Sequence, residues 1–124
     1  MLFAFFIAMG LVDMNSSETL KLNKDFKRLY YRGSCAVARS VVLYVQKNRS
    51  EKNRIGLTCG KSVGKAFRRN RAKRLMRESY RILSPEIKKG YDIVIIARTA
   101  IRGKKCDEVL KDLRFAMGKL DMLL

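Results

Sequence analysis

Seven consecutive residues, YDIVIIA (Tyr91–Ala97), constrain this chain more than any other stretch. A strand with one wet face alternates apolar and polar residues, whereas an unbroken apolar run marks a strand covered on both faces. Upstream, SVVLYVQ (Ser40–Gln46) is β-branched and aromatic and reads as a strand, and RIGLTC (Arg54–Cys59) reads as the next. The polar stretch between them, KNRSEKN, reads as a hairpin connection, and a short strand around Cys35–Ala38 precedes the pair.

Three helices complete the pattern. Asn23 is placed to cap a helix in which Phe26, Leu29 and Tyr30 recur at i, i+3 and i+4, with Gly33 as its left-handed stop. Gly60 to Gly64 form a glycine-punctuated loop into a basic helix from about Ala66 to Leu83, since Pro85 forbids much more. Val109, Leu110, Leu113, Met117 and Leu120 make an amphipathic closing helix. The order α-β-β-β-α-β-α predicts a single α+β domain, a sandwich with a four-stranded sheet.

The basic helix carries the strongest chemical signal. RRNRAKRLMRE (Arg68–Glu78) holds Arg68, Arg69, Arg71, Lys73, Arg74 and Arg77 against one carboxylate. The whole chain has 28 Lys+Arg and 11 Asp+Glu, a formal net charge of +17, while 48% hydrophobic residues argue for a globular fold. Such a balance points to nucleic acid first and an anionic membrane surface second. At about 100° per residue, Ala72, Leu75, Met76, Ser79 and Leu83 gather on one side and Asn70, Lys73, Arg74, Arg77 and Arg81 on the other. A merely solvated charged face is broken up by i, i+4 acid–base pairs. Here Glu78 is the helix's one acid, which favours a polyanion, and the arginine fork favours phosphate.

Several chemistries are excluded. The chain has no histidine, which removes Ser-His and Cys-His catalysis and most zinc sites. Cys35, Cys59 and Cys106 lie far apart without a Cys-x-x-Cys spacing, and read as free thiols of a reducing cytoplasm, small fillers on core faces. GLTCGKS (Gly56–Ser62) sets three residues, not four, between glycine and Gly-Lys-Ser, so it is no nucleotide-binding loop; Lys61 remains as a backbone-phosphate contact. The carboxylates are scattered, and Glu86-x-Lys88 has no acidic neighbour in sequence. No catalytic and no metal-binding residue is therefore assigned.

In the first helix, Phe26, Tyr30 and Tyr31 lie beside Lys27, Arg28 and Arg32, with Tyr44 on the neighbouring strand. Aromatics interleaved with cations suit an unpaired nucleic-acid strand, whose bases need flat partners. The same residues on an apolar helix face also suit a core, and spacing leaves both readings open. The opening MLFAFFIAMGLV is too short to span a bilayer and has no cation ahead of it as a signal peptide would. Met1–Asp13 is read as an apolar extension upstream of the true start at Met14, with residues 14–124 as the RNA-binding domain; a membrane anchor is the alternative.

Together, NKDFKRLYYRG, VVLYV, RIGLTCGKSVG, GKAFRRNRAKRLMRESYR and YDIVIIAR resemble, in order and spacing, the protein subunit of bacterial ribonuclease P over about residues 20–122. The resemblance implies an α-β-β-β-α-β-α sandwich with a left-handed crossover around the basic helix. It implies a cytoplasmic ribonucleoprotein that removes the 5′ leader from precursor tRNA, its RNA subunit performing Mg2+-dependent hydrolysis, with no membrane involved and the protein monomeric outside the complex. By the same resemblance Arg69, Asn70, Arg71, Lys73, Arg74 and Arg77 face the catalytic RNA, joined by Lys61 and Arg68. Phe26, Tyr30, Arg39 and Tyr44 match the leader-binding cleft. Ala38 departs from the asparagine of many relatives, Gly60-Lys61-Ser62 has one lysine where two are common, and no basic tail follows Leu124. A ribosomal or RNA-chaperone protein that only binds is the alternative; the ordered segments separate it from this reading.

Overall fold

The computed structural model describes residues 4–5, 18–20 and 23–124. Its sheet contains β3 (Ser34–Val37), β4 (Val41–Lys47), β5 (Arg54–Cys59) and β6 (Tyr91–Ala97) in the order β5-β6-β4-β3. Two short strands, β1 (Ala4–Phe5) and β2 (Glu18–Thr19), extend it at β5, antiparallel and parallel respectively. Residues 1–3 and 6–17 lie outside the described residues, so the reading of Met1–Asp13 as an upstream extension falls largely outside them. The helices are α1 (Asn23–Arg32), α2 (Ala66–Leu83) and α3 (Cys106–Lys119).

β6 occupies the centre, antiparallel to β4 and parallel to β5. This corrects the hairpin expectation: β5 does return antiparallel to β4, but β6 lies between them. The physical reason is the apolar run itself. Burial along β6 is nearly continuous, and only an interior strand has both faces and both edges covered. The connection 48–53 is therefore held to the start of β6 instead of forming a tight turn. Asn53 donates to the Lys88 carbonyl (3.0 Å) and accepts from the Tyr91 amide (2.9 Å), and the Asn48 amide donates to the Gly90 carbonyl (2.8 Å). The crossover β5-α2-β6 joins adjacent parallel strands.

Alternation along the strands sorts two cores. Leu43, Val45, Ile55, Leu57, Ile93 and Ile95 face α2 and α3, where Met76, Tyr80, Leu83, Leu113 and Met117 close the larger core. Tyr80, which the helix pattern did not single out, is fully buried there. On the opposite face Leu20, Phe26, Leu29 and Val94 form a smaller core under α1, bordered by Tyr30, Tyr44 and Ile96. α3 is pinned by Asp112, whose Oδ2 accepts from the Ser40 amide (3.1 Å) and hydroxyl (2.5 Å).

Two local expectations differ from the structure. Gly33 does not adopt a left-handed conformation; it is required by space, because a Cβ there would lie 2.6 Å from the Leu29 carbonyl oxygen and 3.0 Å from that of Val45. Of the cysteines only Cys59 is a buried filler; Cys106 is half-buried and Cys35 is exposed on the short outer strand β3.

Candidate nucleic-acid interface

α2 is entered through a 3₁₀ turn at Lys61–Val63 and a glycine, Gly64, at φ 131°, a conformation that disfavours any side chain. Lys65 stands at the cap without a side-chain cap bond, and the first turn holds no acid. Arg68 and Arg69 occupy that turn instead, Arg69 donating Nη1 to the Gly64 carbonyl at 3.2 Å. Cations at a helix N-terminus oppose the macrodipole, so this end is electrostatically suited to an anion.

Arg69, Lys73 and Arg77 follow one another at i+4 along the flank nearest the end of β5. Burial pushes the Lys73 ammonium down; the neighbouring Cys59 side chain opposes that, and Arg77 and Arg69 push it further. Burial and then the Arg74 charge push Arg77 down as well. Its Nε is buried with no hydrogen-bond partner among the described residues. Asn70 and Arg74 project outward, and Lys61 is exposed in the turn before the helix. Arg68 and Arg71 lie on the other flank, Arg68 with its guanidinium 5.3 Å from the Phe67 ring centroid and Arg71 donating to the Lys104 carbonyl at 2.8 Å. Arg81, counted with the cationic side, is instead neutralised by Glu78 through bonds of 3.0 and 2.6 Å.

The second surface lies across the sheet. Phe26 is only 3% exposed: its ring sits on Gly56, where any Cβ would overlap it. It therefore forms the floor, leaving the half-buried rings of Tyr30 and Tyr44 at the surface. These meet edge-to-face, centroids 5.2 Å apart at 74°. Burial, and then the neighbouring Tyr44 phenol, push the Tyr30 hydroxyl up to about 12, against the Thr58 hydroxyl beside it. Tyr44 is also pushed up, by burial and then by the Cys35 thiol directly across the β3–β4 pair. Cys35 and the exposed Val37 thus line this side of the sheet, a placement that only the strand register reveals. Arg39 is exposed on the turn from β3 to β4, and Tyr31 points to solvent.

Arg28 and Arg54, cations on the same side of the sheet, are engaged inside the fold. Buried Asp92 accepts from Arg28, from Arg54 Nε and Nη2 (2.8 and 2.6 Å) and from Asn48 (3.0 Å). Glu86 pairs with Arg114 at 2.9 Å. Among the described residues no three Cys, Asp or Glu side chains come together as a metal-binding group, and no helix is long and apolar enough to cross a membrane.

The ribonuclease P family model matches residues 14–121. Among curated relatives, the ribonuclease P protein component of Clostridioides difficile is 36% identical over 112 residues, covering 90% of this chain and 98% of the relative. That of Clostridium acetobutylicum is 42% identical over 107 residues, covering 85% and 90%. The solved structure of the Staphylococcus aureus RNase P protein superposes with a TM-score of 0.77 at 27% identity, over 86% of this chain and 97% of that one. The Thermotoga maritima RNase P protein gives 0.72 at 31% identity, over 79% and 93%. With a basic helix and a pair of half-buried tyrosines on opposite faces of one sheet, and with this likeness over most of its length, the chain belongs to the ribonuclease P protein-component family.

Proposed function

We propose that the protein assembles with a catalytic RNA through α2 and holds the unpaired 5′ leader of precursor tRNA in the cleft between α1 and the sheet. Lys61, Arg68, Arg69, Asn70, Arg71, Lys73, Arg74 and Arg77 serve the first contact; Tyr30, Tyr44 and Arg39 serve the second, with Phe26 as the floor. The RNA subunit carries out hydrolysis with Mg2+, and the protein lowers the repulsion between two RNAs. A protein in this role needs no general acid or base of its own.

One observation carries the reading: the cationic row and the half-exposed tyrosines lie on opposite faces of one sheet. Two RNA segments therefore meet the protein at once without competing for a site. Stacking on Tyr30 and Tyr44 recognises an unpaired base of any identity, whereas the row of cations reads only phosphate density. The family match covers residues 14–121, nearly all of the stretch read as the RNA-binding domain. The same reading places the protein in the cytoplasm, as a monomer outside the ribonucleoprotein.

The test is reconstitution with the RNA subunit at low magnesium, following leader cleavage. The protein should stimulate cleavage by the RNA and leave precursor tRNA intact by itself. Tyr30→Ala should spare assembly and weaken precursor over mature tRNA by roughly 1–3 kcal/mol, the value of one stacked base. Equal weakening of both tRNAs by a properly folded variant would refute the cleft assignment.

A further inference from the structure

We infer that a pocket beside the first turns of α2 receives one unstacked nucleobase of the RNA subunit, with the surrounding arginines on the adjoining phosphates. This rests on the assembly of α2 with RNA proposed above. The pocket encloses about 170 Å3 between α2 and the segment 99–103. Phe67, Ala72 and Ile101 supply its apolar lining; Arg68, Arg71 and Arg102 stand around it. At Gly103 (φ 77°) no atom lies within 4 Å of the position a Cβ would take, so that wall is open backbone.

Size and chemistry narrow the occupant. A cavity of about 150 Å3 with apolar walls holds a benzene ring, whereas drug-sized ligands fill roughly 300–1,000 Å3. The pocket therefore suits one flat ring system and not a whole nucleotide. Phe67 is 63% exposed, more than any other large apolar side chain of α2, an unfavourable place for a phenyl ring unless something covers it. Three arginines and no acidic residue line the same space. A lipid tail or an apolar peptide would leave those charges unanswered, while a base with its own phosphates answers both features. Arg71 is already oriented there by the Lys104 carbonyl. The base must come from a loop, bulge or junction, because a base stacked in a duplex offers no free face.

The full chain is titrated with its RNA subunit at several salt concentrations, and the RNA is probed with dimethyl sulfate and a carbodiimide, with Phe67→Ala, Phe67→Tyr and Arg74→Ala compared. Phe67→Ala should weaken assembly roughly 5- to 150-fold without changing the salt slope, since it removes stacking and no phosphate contact. Phe67→Tyr should bind as wild type. A base in an unpaired segment should be protected by wild type and Phe67→Tyr and released by Phe67→Ala. If Phe67→Ala kept both affinity and footprint while Arg74→Ala weakened binding and flattened the slope, the pocket would be refuted and RNA assembly upheld. If wild type showed no salt-dependent binding, the assembly itself would fail. Phe67 lies at the surface, and an unchanged unfolding temperature for Phe67→Ala makes either outcome decisive.

Discussion

Replacing Arg77 by methionine separates the two demands placed on α2. In the free protein Arg77 carries a cost, for its Nε is buried without a hydrogen-bond partner among the described residues and Arg74 repels its charge. A buried donor left unsatisfied costs about 1–3 kcal/mol, and the partial exposure of this side chain puts the value near the lower end. Methionine keeps an unbranched apolar stem and removes both the donor and the charge. The variant should therefore be more stable by about 1 kcal/mol, raising the unfolding temperature by about 3–5 °C for a domain of this size. Assembly with RNA should move the other way. Losing one phosphate contact lowers the logarithmic salt slope by about 0.9, so the deficit in affinity should shrink about 3.5-fold between 50 and 200 mM salt. Thermal unfolding of the free protein and RNA titrations at four salt concentrations measure both quantities. A variant that unfolds at lower temperature, or one whose salt slope equals wild type, would refute the assignment of Arg77 as a phosphate contact held ready at a cost to the fold.

Three further outcomes follow from the other face of the sheet. Tyr30 has a folded-state pKa raised to about 12, against about 10 for an unfolded tyrosine; its contribution to stability is complete below pH 10 and is lost as pH rises toward 12, so the wild-type advantage over Tyr30→Phe in thermal melts should shrink over that window. A constant difference from pH 9 to 12 would count against this burial of the hydroxyl. Asp92→Ala leaves Arg28 and Arg54 without their shared carboxylate, and since their side chains are 35% and 32% exposed the cost should be about 3 kcal/mol, at the lower end for a broken buried pair; urea unfolding gives the number. Gly56→Ala forces the Phe26 ring from its seat and should destabilise by about 1–3 kcal/mol, while lowering precursor-tRNA discrimination and sparing RNA-subunit binding, as titration with each RNA would show.

Local physics carried much of this protein directly into its sequence. The span of α2 from Ala66 to Leu83 follows from helical periodicity and from Pro85, both written within a few residues of one another. The double-sided burial of β6 is readable from seven apolar residues, and the partner class from a helix with many cations and one acid. What the sequence could not decide was which strands meet. A polar connection after β4 looks the same whether the next strand pairs with β4 or leaves room for β6, because that choice depends on residues some forty positions away. The same distance hides the fate of individual charges: Arg28 reads as a cation beside the aromatics of the first helix, and Arg54 as the first residue of a strand, until Asp92 is brought beneath both. It also hides Phe26, whose spacing suits core and cleft alike until Gly56 admits the ring, and Cys35, whose exposure depends on the outer position of β3. Periodicity specifies which side of an element is apolar; only the packed fold decides what that side meets and which polar groups are left facing outward for RNA.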